Sequence, residues 1–140
     1  MTRHRQSERG SAPVELVLVT PLLVGLLLFV VGLGRLAGAA GDVETAAREA
    51  ARAASNERSS SAARQAGTEA ASTTLRDRGV ECRSLSVEID AAQFRADGFV
   101  TAAVRCTVDL QDATMIGFPG AKTLSAAFTA PVDRYRGTDQ

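Results

Sequence analysis

Residues 16–34 read LVLVTPLLVGLLLFVVGLG, nineteen consecutive positions without a charge. As a helix this run rises about 28 Å, close to the roughly 30 Å of a bilayer's hydrocarbon layer, so it can cross a membrane once. A buried core helix of that composition needs a much larger protein around it, and this chain has 140 residues. The overall figures conceal the run: 16 Lys and Arg stand against 16 Asp and Glu, and the mean hydropathy is zero. Pro21 lies near the start of the run, where its missing N–H deprives the Val17 carbonyl of a partner at a tolerable place.

On the N-terminal side stands MTRHRQSERG, residues 1–10, with Arg3, Arg5 and Arg9 against Glu8. Basic residues beside an apolar segment resist translocation, so this leader is expected in the cytoplasm and everything after the run outside it. Between leader and run lie Gly10, Ser11, Ala12, Pro13, Val14 and Glu15. A carboxylate at the lip of the bilayer costs several kcal/mol unless it is paired. Scission after Gly10 would supply the pair as the new α-amine of Ser11, in the same chain or in a neighbouring subunit. A simpler role for Glu15 is an interfacial acid near a helix N-terminus, where the helix dipole favours negative charge by about 0.3–1 kcal/mol. A second export route is also legible. Ala37-Gly38-Ala39 has the small-x-small form of a secretory cleavage site, although the apolar run is long for a signal peptide and Arg35 intervenes.

Gly10-Ser11-Ala12-Pro13-Val14-Glu15-Leu16, the Leu-rich run with its proline, Gly34-Arg35-Leu36, and Ala47-Arg48-Glu49-Ala50-Ala51-Arg52-Ala53-Ala54 together resemble the TadE-like proteins of the tight adherence pilus machinery. The resemblance covers about residues 9–55. It implies a leader removed by a prepilin peptidase after Gly10, with Ser11 as the new N-terminus. Glu15, then the fifth residue, would serve docking into a growing pilus-like fibre. The implied partners are the membrane, the prepilin peptidase, the pilus assembly machinery and other pilin-like subunits. The implied function is that of a minor pilin-like, or pseudopilin, subunit in assembly of an adhesive type IV-like pilus. Leu16 departs from the aromatic residue that related pilins often carry after the glutamate. A secreted or membrane-anchored envelope-binding module and a DNA-uptake pseudopilin are the alternatives.

Beyond the run the chain becomes rich in alanine. Fourteen of the residues 37–71 are Ala, with Glu44 and Arg48 at helical i,i+4 spacing, so the spanning helix is expected to continue outward as a stalk. Val43, Ala46, Ala47, Ala50, Ala51, Ala53 and Ala54 form a narrow stripe that needs a close neighbour, whether the chain's own sheet or another subunit. The polar SNERSSS at residues 55–61 predicts a break, followed by a second helix over about 61–78 with Ala62, Ala66, Ala70, Thr73 and Thr74 inward and Gly79 as its stop.

After Gly79 the period changes from helical to alternating. Residues 80–89 and 100–110 read as an antiparallel pair with a turn at Asp97-Gly98, and residues 124–132 as a third strand, with a loop over 112–122 between the last two. The fold class is therefore α+β: a long N-terminal transmembrane and stalk helix, a second Ala-rich helix, then a small three-stranded antiparallel sheet. The expected division is a basic leader (1–10), a transmembrane helix (11–36), a helical stalk (37–79) and an extracytoplasmic β module (80–140). Pairing of the first two strands about Phe94 would set Cys82 opposite Cys106, either bridged or as two buried thiols.

Enzymatic chemistry lacks material in this chain. The single histidine, His4, is in the leader, and two cysteines alone do not make a zinc site, so no catalytic residue, cofactor or metal is expected. No small-molecule substrate is expected either. Zero net charge offers no basic footprint for nucleic acid.

Overall fold

The computed structural model describes residues 11–113 and 119–133, with side chains over 16–111 and 119–133. Helix α1 (Ser11–Ser55) runs 45 residues without interruption, about 68 Å at the usual rise. It passes through Pro21, and one residue earlier the Thr20 hydroxyl donates to the Leu16 carbonyl at 2.6 Å. The helix ends where the sequence turns polar: the Ser55 hydroxyl donates back to the Arg52 carbonyl, competing with the ladder as Ser does at helix ends.

Helix α2 (Ser60–Asp77) returns antiparallel to the upper half of α1, so that Arg78 Nη1, just past its end, meets Asp42 Oδ1 at 2.9 Å. Its ends are defined by local chemistry. Ser59 is extended, with φ −134° and ψ 153°, and its Oγ accepts from the Ala62 N–H at 3.2 Å, satisfying one of the otherwise unpaired donors of the first turn. At the other end Gly79 takes φ +70°, the Gly79 N–H donates to the Arg76 carbonyl and the Val80 N–H to the Leu75 carbonyl. This is a Schellman closure, and it needs a residue free to adopt a left-handed conformation. Replacing Ser59 by Ala is expected to lower stability by about 1 kcal/mol, readable as a fall of several degrees in thermal melting of the full chain in detergent.

Strands β1 (Ser84–Asp90), β2 (Phe99–Asp109) and β3 (Ala121–Pro131) form one antiparallel sheet in that order, with a short helix α3 (Leu110–Ala113) after β2. Leu110, expected on the second strand, therefore opens α3. Of the loop expected at 112–122, Asp112 is helical, Ala121 and Lys122 belong to β3, and residues 114–118, with Gly117, lie outside the described part. The first strand begins at Ser84, four residues later than its alternation predicts.

The register also differs from the pairing about Phe94. Ser84 opposes Thr107 and Leu85 opposes Cys106, so the hairpin is centred between Arg95 and Ala96. The cause is the connection, which is built from short turns rather than one tight reversal: Phe94 N–H donates to Ala91 O, and Gly98 N–H to Arg95 O. Asp97 has φ +60°, and a Cβ on Gly98 would fall 1.9 Å from the Gln93 carbonyl oxygen, so the Asp-Gly step predicted as a turn is imposed by close backbone contact.

The core lies between the sheet and the two helices. On α1, Val43, Ala46, Ala47, Ala50, Ala51 and Ala54 are buried as the stripe predicts, and Ala53 is half-buried. Their partner is the chain's own sheet and second helix. On α2 the inward line is Ala63, Gly67, Ala71 and Leu75, one position on from the line expected; Ala62, Ala66, Ala70 and Thr74 are half-buried and Thr73 is exposed. Leu75, the largest side chain available on that helix, decides the rotation by filling the space between α2 and the sheet. From β2, Val100, Ala102, Val104, Cys106 and Val108 face the helices, joined by Ile89, Leu124, Ala130 and Val132.

Candidate functional site: an exposed apolar helix on a bridged module

The two halves of α1 differ in what surrounds them. From Leu16 to Leu33, fourteen large apolar side chains stand free of the rest of the molecule, Leu22 at 72% exposure and Phe29 at 58%. Only 6% of the most apolar window is buried. Water does not tolerate a continuous apolar surface of this size, and a bilayer does. One helix is therefore long and apolar enough to cross a membrane. It leads without a break into the half that carries the core, so the module sits rigidly on the anchor rather than hanging from a linker.

At the exit from the apolar segment Arg35 is exposed, and a shallow cleft of about 360 Å³ opens among Arg35, Gly38, Asp42, Arg78, Glu81 and Asp109. Two guanidiniums, one already paired with Asp42, face three carboxylates, so the cleft has no strong charge preference. Among the described residues no group of three His, Cys, Asp or Glu side chains is gathered for a metal ion.

Of the residues that the sequence singles out, Ser11 is the first residue of α1 and Glu15 lies four positions further along the same helix. Gly10 lies outside the described residues. Cys82 and Cys106 are joined as a disulfide, with Cα atoms 5.3 Å apart. They are not opposed in the ladder, since Leu85 occupies the place across from Cys106; the irregular segment between Gly79 and β1 carries Cys82 back to it. The bridge ties the C-terminal end of α2 to the buried face of the central strand.

Sequence reasoning missed a further contact. The Arg48 guanidinium lies 5.5 Å from the centroid of the Phe128 ring, while its Nη2 pairs with Glu44. The Glu44–Arg48 spacing was legible, whereas the ring beneath it depends on how β3 crosses α1.

The stretch of α1 that joins anchor to module, as far as Arg52, also carries a family likeness. Residues 10–52 match the family of TadE-like proteins. The match begins at the glycine ahead of α1 and ends three residues before that helix does, so α2 and the sheet lie beyond it. No curated protein and no solved structure matches the chain. The TadE-like stretch associates the chain with the tight adherence pilus system.

Proposed function

We propose that the chain is a minor pilin-like subunit of the tight adherence pilus, a structural rather than catalytic component, made with a leader that a prepilin peptidase removes after Gly10. The observation that carries this reading is the TadE-like match running from Gly10 through the whole apolar segment to Arg52. In such a subunit the apolar half of α1 is stored in the membrane and then packs among neighbouring helices, while Glu15 pairs with the freed α-amine of Ser11 in the same or an adjacent copy. The basic leader favours an N-terminus in the cytoplasm and a module outside it. The Cys82–Cys106 bridge suits that side of the membrane, because disulfides persist in oxidising compartments.

Release by cleavage after Ala39 fits less well. Ala39 is half-buried and packs against the core in the uninterrupted α1, so a cut there would expose a fresh end four residues before Val43. The two routes differ in product: removing ten residues from the 140 leaves 130 with the anchor, and removing 39 leaves 101 without it. N-terminal sequencing of the protein from cells is expected to begin at Ser11. Glu15→Ala is expected to leave membrane insertion intact and to abolish incorporation into pilus assemblies. A sequence beginning elsewhere, or undiminished incorporation, would overturn the reading.

A further inference from the structure

The module begins where the apolar segment ends. Leu36 and Ala39, just past the uncharged run, already pack against its core, so no spacer separates the module from the bilayer. A headgroup layer adds about 5–7 Å to each side of the hydrocarbon, a height that a helix climbs in about four or five residues. With Leu16 to Gly34 spanning the membrane, Arg35, Gly38 and Ala39 therefore stand at headgroup depth. All three line the cleft of about 360 Å³, whose other wall is the turn after α2 and the end of β2.

Most charges of the cleft are already paired. Asp42 holds Arg78 at 2.9 Å, and Asp109 holds Arg83, which lies outside the lining, at 3.5 Å. Arg35 and Glu81 remain. Both are exposed and line the cleft, and neither has an ion-pair partner among the described residues. One wall thus offers a free cation and the other a free anion. A simple anion or cation satisfies only one of them, whereas a zwitterion satisfies both. The kind of cation is also indicated. Quaternary ammonium groups are held by aromatic faces, and no aromatic ring is among the residues that line the cleft; a primary ammonium instead donates N–H bonds to a carboxylate. Gly38 leaves room for such a group, since a Cβ there would meet nothing within 4 Å.

We propose that this cleft is a lipid-headgroup site for a zwitterionic phospholipid with a primary ammonium group, the phosphatidylethanolamine class, with its phosphate on Arg35 and its ammonium on Glu81. The acyl chains of the bound lipid run down the exposed apolar side chains of α1 below the cleft, so headgroup and chains are held by one continuous helix. A lipid seated there fixes the depth and the rotation at which the rigid module stands on the bilayer. The site requires that the apolar helix cross a membrane, and it makes no use of the leader, of Glu15 or of a pilus, so it stands or falls independently of the pilus reading.

The test is native mass spectrometry of the full chain released from detergent micelles doped with equal amounts of phosphatidylethanolamine, phosphatidylcholine and phosphatidylglycerol of the same acyl chains. The ethanolamine lipid is expected to be retained at least about tenfold more than either of the others, the scale of one charge-assisted hydrogen bond. Glu81→Gln is expected to bring the ethanolamine and choline lipids within about twofold of each other, and Arg35→Gln to lower retention of all three. Gly38→Met fills the cleft from a position with free space around it, and is expected to abolish the preference with an unchanged far-ultraviolet circular dichroism spectrum, which separates loss of the site from loss of the fold. Soluble glycerophosphoethanolamine, the same headgroup without acyl chains, is expected not to displace the lipid at equal concentration. Equal retention of the three lipids, preference for the glycerol lipid (as when Arg35 meets any nearby phosphate), a preference that survives Glu81→Gln or a folded Gly38→Met chain, retention unaltered in Arg35→Gln, or displacement by the soluble analogue would each overturn the proposal.

Discussion

Gly67→Leu is expected to separate α2 from the rest of the module. A Cβ at this position alone falls 2.7 Å from Ile89 Cδ1 and 3.1 Å from the carbonyl oxygen of Ala50, so α1, α2 and β1 approach one another closely at Gly67. Overpacking of a filled core costs about 1–3 kcal/mol and occasionally more, and a leucine here meets α1 backbone that cannot rotate away, so the upper end applies. The measurement is chemical denaturation of the full chain in detergent, followed by far-ultraviolet circular dichroism. Gly67→Ala provides the finer test. It gains about 1 kcal/mol of helix propensity but presses on the Ile89 methyl, which Ile89→Val removes. The double variant is therefore expected to be more stable than the sum of the two single changes by about 0.5 kcal/mol or more. Additive effects would show that α2 and β1 are not in contact at this point.

Removing the bridge is expected to be at least as damaging. Cys82 and Cys106 are 24 positions apart, and closing a loop of that length restricts the unfolded chain by an amount worth about 3.5 kcal/mol. A module whose core is built largely of alanine has little reserve against such a loss, since whole domains are stable by only about 5–15 kcal/mol. In the Cys82→Ser, Cys106→Ala double variant the sheet is expected to melt well below the unsubstituted protein while the apolar helix persists in the micelle. The shift between reducing and non-reducing gels should vanish with it. A melting temperature within a degree or two of the unsubstituted chain would mean that packing alone holds α2 to β2.

The alanine stripe explains how a long anchor and a small sheet make one rigid unit. Small side chains let α1 approach both α2 and the strands closely, at the expense of apolar area per residue, and the deficit is met by β-branched residues on β2 and by the disulfide. Rigidity matters to the proposed role because a subunit extracted from the membrane by its helix must carry its displayed module with it.

Much of this architecture follows from the chain's local chemistry. Nineteen uncharged, mostly apolar residues in a chain of this size dictate an exposed apolar helix, SNERSSS stops it, and Gly79 closes the second helix because a left-handed residue is required there. Alternation identifies the buried face of β2 without ambiguity, since the period of a strand is two and a side chain has only two places to go. Rotational phase and register were decided by tertiary contact instead. Ala62 and Ala63 are equally good inward residues to a helix in isolation, and only the space that Leu75 fills against the sheet selects the second. The offset of β1 against β2 depends on how many residues the turns between Ala91 and Gly98 consume, a matter of backbone contacts such as the one that Gly98 makes with the Gln93 carbonyl. Periodicity along a chain specifies which face is apolar; the shape of the surface it meets specifies the angle and the offset at which that face is buried.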